Sequence, residues 1–163
     1  MVANISMVAE QRIAGVWKAV YWPAAAGRRK ESSDNWRVWE SGTFAFEDAV
    51  DHPLGCNAFV ILANFQPERA SGQLTSIAGM RGLPADCAAE TSLQLRGDDA
   101  ASGWVTLREL VEFDWSRITV SRRGELRSCD DDDVSDGLFS IVLPALLRLG
   151  TPDNVRLVFR FSY

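Results

Sequence analysis

The chain has one histidine, His52, and only three cysteines, Cys56, Cys87 and Cys129, which are widely spaced and odd in number. A single histidine excludes two-histidine metal sites and leaves nucleophile schemes based on serine or cysteine with one imidazole base at most. Three scattered cysteines form neither a disulfide framework nor a CxxC signature, so a reducing cytoplasm is the expected compartment. The segment MVANISMVAEQRIAGVW lacks a cationic start followed by an apolar run. No stretch approaches the roughly 18 apolar residues of a membrane span, so neither standard secretion nor a membrane partner is expected.

Lysine is almost absent too: apart from Lys18 and Lys30, all of the 17 basic residues are arginine, set against 22 acidic ones. The net charge of -5 argues against a whole-surface grip on phosphate backbones, so nucleic acid is not expected as the main partner. What the chain has in quantity is apolar and aromatic material, including six tryptophans and eight phenylalanines. At 163 residues it is expected to fold as one domain over 1–163 that buries about 70% of its unfolded surface.

Strand signals come first. Residues 12–22, RIAGVWKAVYW, read as a strand ended by Pro23, and residues 36–39, WRVW, as its antiparallel partner across a polar excursion. The tip of that N-terminal hairpin would carry Arg28, Arg29 and Lys30. ITVSRR and ELRSC, divided at Gly124, read as a middle hairpin. The last segment alternates Val155, Leu157, Phe159 and Phe161 with Arg156, Arg160 and Ser162, the pattern of a half-buried strand.

Helix signals lie between them. LGCNAFVILANF is apolar nearly all round, which fits a short buried helix or a buried strand, with helix the favoured reading. Asp86 is placed to cap a helix over CAAETSLQL, and Thr106 with Glu109 forms a T-x-x-E capping box ahead of LRELVEFDW, with GDDAASG as the loop between. GLFSIVLPALLRLG is a further helix that Pro144 should kink or split. The expected class is α+β: a small antiparallel sheet built from the N-terminal hairpin, the middle hairpin and the C-terminal strand, covered by three or four short helices.

Few residues suggest chemistry. His52, between Asp51 and Pro53, reads as a loop residue, and no GxSxG elbow is present. The run Asp130, Asp131, Asp132, Asp133, with Asp136, reads first as a solvated loop, then as an acidic surface for phosphate mimicry or partner docking, and last as a divalent-cation site. As an EF-hand it fails, because placing Gly137 at the sixth position puts Val134 at the third. The 66–86 segment holds Gly72, Gly79 and Gly82 but neither GxGxxG nor GxxxxGK[ST], so no cofactor is expected; Arg81 there could meet an anion or simply bond carbonyls. Trp22 and Trp36 flank the basic hairpin tip and are the tryptophans to inspect for an exposed stacking face.

NAFVILANF, IAGMRGLPADC, SGWVTLRELVEFDW and VRLVFRFSY, in that order and spacing, resemble a family of uncharacterised proteins from phages, prophages and other bacterial genomes. Within the pattern, Cys87 stands where the family has serine, DDAASGW lacks its histidine, and FRFSY replaces its terminal FWFDN. The resemblance implies a mobile-element context and no defined reaction. The first expectation is therefore a non-catalytic accessory protein that binds and inhibits a host protein, such as a bacterial defence component, in the manner of an anti-CRISPR. Asp130 to Asp133, Asp136, Arg28, Arg29 and Lys30 would be its anchors. The alternative is a small-molecule or nucleotide sponge using the 66–86 loop, Arg81, Trp22 and Trp36. An enzyme ranks last, since no nucleophile, base and orienting group assemble from named residues.

Overall fold

The structure, a computed structural model, describes residues 4–20, 36–38, 43–46, 60–65, 72–96, 101–122, 125–128 and 143–162. Alternation at the C-terminus becomes strand β9, Val155–Ser162, which lies between β1, Asn4–Ile13, and β6, Ala101–Thr106. Pairing is antiparallel on both sides, with Glu10 opposite Arg156 and Trp104 opposite Val158. On the far side of β1, β2 (Val16–Ala19) pairs with residues 10–13 and β4 (Thr43–Phe46) with residues 5–8, while β3 (Trp36–Val38) continues outward from β4. A second sheet joins β5 (Gly72–Gln73), β7 (Thr119–Arg122) and β8 (Glu125–Ser128).

Three short helices accompany the sheets: α1, Ala89–Gln94; α2, Leu107–Glu112; and α3, Leu143–Leu147. Residues 60–63 are also helical, and Trp115–Arg117 is a 3-10 turn. The α+β class read from the sequence is the observed one. The capping box is present in full: Thr106 Oγ1 accepts from the Glu109 N–H, and the Glu109 carboxylate accepts from the Thr106 N–H.

Several boundaries differ from the expectation, each for a physical reason. The first strand does not run through 12–22; the chain reverses at Ala14 (φ 51°) and Gly15 (φ 82°), a two-residue turn with positive φ at both positions, as tight hairpins require. Residues 36–38 accordingly pair with β4 instead of the first strand. The middle hairpin forms as β7–β8, but it belongs to the second sheet. Residues 101–106, read as loop and helix approach, are strand β6, held by pairing with β9. β9 is buried on both faces, with Arg156 at 3% exposure.

Period-two geometry sorts the main sheet into two faces. Met7, Ala9, Val105, Leu157, Phe159 and Phe161 face the main core, where Leu107, Leu110, Ile118 and Leu146 from the α2 and α3 regions close over them. Phe65 stacks on Phe161 at 4.7 Å, and Phe159 sits 5.3 Å from Phe161. The opposite face carries Val8, Val158 and Leu95, with Leu83 and Trp104 packed at its edge. It is smaller and far more polar.

Gly103 shows how tightly the main face is filled, since a Cβ added there would lie 2.7 Å from Phe159 Cε2. Phe159 is fully buried between neighbours and has no room to swing away. Gly103→Ala should therefore destabilise the protein by about 1–3 kcal/mol, the usual cost of overpacking. Urea unfolding checks this: the midpoint should drop with the slope unchanged, and an unmoved midpoint would contradict the packing described.

Candidate functional site

The polar face of the main sheet is built around Arg156. Strand pairing places Glu10 directly opposite it, and the Arg156 Nε–H donates to Glu10 Oε2 at 2.6 Å. Nη1 donates to Asp86 Oδ1 at 2.8 Å and Nη2 to the Asp86 carbonyl at 3.3 Å. The second Glu10 oxygen accepts the Ala88 N–H at 2.8 Å. Glu10 is 0% exposed and Arg156 3%, whereas Asp86 is 66% exposed, so the pair is internal and the third partner reaches it from the surface.

Two aromatic rings flank the Arg156 guanidinium. The Arg156 guanidinium lies 4.1 Å from the Trp17 ring centroid and 5.8 Å from that of Trp104. Beyond them, Arg12 lies 5.9 Å from Trp17 and Arg81 4.8 Å from Trp104, so Arg12, Trp17, Arg156, Trp104 and Arg81 form an alternating ladder across β2, β1, β9 and β6. Such contacts gain most where the cation is desolvated, which is the case for Arg156.

Arg81 is committed at one end of this ladder. Its guanidinium donates to both Glu109 oxygens, at 3.0 and 2.5 Å, and to the Trp104 carbonyl at 3.3 Å. The Gly82 N–H donates to the Ser102 carbonyl at 2.9 Å. Residues 81–82 thus occupy the outer acceptors of edge strand β6. Hydrogen bonding from Arg81 and from Thr106 holds the Glu109 carboxyl below its usual range despite partial burial.

Asp86 does not cap a helix as expected. Ala88 is the N-cap residue of α1 and no side-chain cap is present, because the Asp86 carboxylate is engaged with Arg156, whose hydrogen bond holds it below the ordinary carboxylate range. Beside it, a cleft of about 470 Å³ opens between β2 and residues 86–90, lined by Trp17, Lys18, Asp86, Cys87 and Glu90 among others. Cys87 is half-buried; desolvation, with the Glu10 charge adding to it, pushes its thiol up to about 11. A thiol in that state is a poor nucleophile at neutral pH.

Of the residues singled out from the sequence, Arg81 belongs to this cluster, and Trp36 lies on β3 in register with Phe46. Trp22, His52, Arg28, Arg29, Lys30, Asp130, Asp131, Asp132, Asp133 and Asp136 lie outside the described residues. Sequence reasoning missed Glu10, Trp17 and the burial of Arg156, since a charged residue on an alternating strand reads as solvent-facing. Among the described residues, no group of three or more His, Cys, Asp or Glu side chains could hold a metal ion, and no helix is long and apolar enough to cross a membrane. No family model, curated protein or solved structure matches the chain.

Removing one member of the buried pair strands the other charge. Arg156→Met or Glu10→Leu alone should cost about 3–5 kcal/mol, while the double replacement should recover most of the loss. Denaturant unfolding of the four-protein cycle reads this out, and single losses below about 1 kcal/mol would show that the pair is not buried as described.

The raised Cys87 pKa has a kinetic signature. In a Cys56→Ser, Cys129→Ser background, the folded thiol should react with iodoacetamide at pH 8 on the order of a hundredfold more slowly than the unfolded chain, because the ordinary value is about 8.5. Its rate should climb until pH reaches about 11. Equal rates for folded and unfolded protein would refute the shift.

Proposed function

We propose that this chain is a phage- or prophage-type accessory protein that acts by binding and inhibiting a host protein, with a bacterial defence component as the candidate target, and without catalysis. The observation that carries this reading is where the resemblance-bearing residues go. Arg81 and Asp86 of IAGMRGLPADC, Trp104, Thr106 and Glu109 of SGWVTLREL, and Arg156 of VRLVF all bond or stack with one another. Most of their polar groups are engaged in holding residues 81–88 onto the sheet, while the Asp86 side chain stays 66% exposed. A motif used up in this way is a structural clasp, and function then falls to the surface.

Surface features support a binding role. Ile13, Val16, Leu93, Val111 and Leu147 are exposed, at 46–60%. The sequence adds two charged segments, Asp130 to Asp133 with Asp136, and Arg28 to Lys30, as electrostatic anchors for a complementary partner. The sponge reading needs Arg81 to leave Glu109 and Trp104 before it could take an anion, which makes it the weaker of the two.

The test is capture of tagged full-length protein from a bacterial lysate with mass spectrometry, run beside a denaturing extraction for small ligands. One stoichiometric host protein is the expected result, and its loss on charge reversal of both segments would identify the anchors. A retained nucleotide without any protein would overturn the reading in favour of the sponge.

A further inference from the structure

Among the described residues, two edge strands of the main sheet, β6 and β2, are treated differently. On β6, the outward carbonyls of Ser102 and Trp104 are taken by the Gly82 N–H and by Arg81. On β2 the bonding pattern leaves an open row. Hydrogen-bonded and non-bonded positions alternate along an antiparallel pair, and the bond from the Val20 N–H to the Ala9 carbonyl sets the phase. Lys18 and Val16 therefore bond to β1, while the N–H and C=O groups of Trp17 and Ala19 turn away from it. No described residue pairs with that side of β2.

That row opens into the 470 Å³ cleft, whose other wall is residues 86–90. The face shared by Trp17 and Ala19 also carries Glu10 and is covered by the segment holding Asp86 and Glu90; Lys18 projects to the opposite face. Of the charged residues lining the cleft, Asp86 and Glu90 lie on the covering wall and both are acidic, so a strand seated there meets two carboxylates on that face. We infer that the β2 edge is a docking strand for an extended peptide of a partner protein. The peptide adds to the sheet through Trp17 and Ala19, with basic side chains toward Asp86 and Glu90 and an acidic one opposite Lys18. This is strand addition, in which main-chain bonds supply affinity and alternate side chains supply selectivity. It deepens the host-binding reading above and rests on it for the partner's identity.

The probe is acetyl-Thr-Lys-Glu-Lys-Thr-amide, titrated into the full-length protein and followed by amide NMR shifts and hydrogen exchange. The Trp17 and Ala19 amides should shift and gain protection several-fold. The charge-swapped peptide acetyl-Thr-Glu-Lys-Glu-Thr-amide and an N-methylated version of the first should do neither. Ala19→Pro removes an outward N–H without touching the β1–β2 ladder and should abolish docking at unchanged thermal stability. Equal effects from the N-methylated peptide, shifts confined to other elements, or protection of Trp17 and Ala19 before any peptide is added would each overturn the inference. A host protein captured from lysate whose binding survives Ala19→Pro removes the edge as its dock and leaves the host-binding reading standing. A peptide that docks here while the lysate yields no protein removes that reading and leaves the edge.

Discussion

Arg156 is a cation taken almost wholly out of water, and the arrangement of the polar sheet face follows from the need to satisfy it. Desolvating a guanidinium and a carboxylate costs several kcal/mol each, so the site is tolerable only where geometry returns most of that. Glu10 directly across the strand pair, Asp86 from the covering segment, the Trp17 ring and the Ala88 N–H on the remaining Glu10 oxygen together provide it. The pair also specifies register. Sliding β1 against β9 by one residue would turn Glu10 toward Met7's side of the sheet, stranding both charges, so the ion pair penalises the alternative more than it stabilises the native state.

The same cluster ties together segments remote in the chain. Glu10 and Arg156 are 146 residues apart and Asp86 is 70 from Arg156. The two sequence ends become neighbouring strands, and the middle of the chain is pinned over them. Such pairing is entropically late to form, because long loops must close before these contacts are made. Local units, namely the capped α2 turn and the β7–β8 hairpin, need no such closure.

That division between local and distant contacts also decides what could be read from the sequence. The C-terminal strand, the T-x-x-E box at Thr106 and Glu109, and the hairpin around Gly124 carry their signals within a few residues, and all three are present. The Ala14–Gly15 turn lacks the Asn-Gly or Asp-Gly signature of its turn type, so RIAGVWKAVYW looked like a single strand. β1 is weakly β-forming, with Met7, Ala9 and Glu10 at its centre, and exists because β9 pairs along eight of its residues. β6 begins Ala-Ser-Gly, which reads as loop; its glycine is there because the Phe159 ring occupies the space of a side chain. Arg81 was legible as a residue of interest, but its partner Glu109 was already assigned to a cap, and nothing local shows that one carboxylate serves both.

The two faces of the sheet are therefore held by different physics. The main face is closed by apolar packing of Phe159, Phe161, Leu107 and Leu110, which is non-directional and tolerates volume-conserving exchange. The other is closed by a segment with few apolar anchors, Ala88, Leu95 and half-buried Leu83, and its remaining hold is directional: Arg156 to Asp86, Ala88 to Glu10, Arg81 to Glu109. Thr91, fully buried in α1, has no hydrogen-bond partner for its hydroxyl among the described residues. Free energy for local opening scales with buried apolar contact, so the covering segment should part from the sheet at lower cost than the core unfolds. Its position is accordingly set by the charges beneath it, and those charges shape the wall of the cleft beside β2.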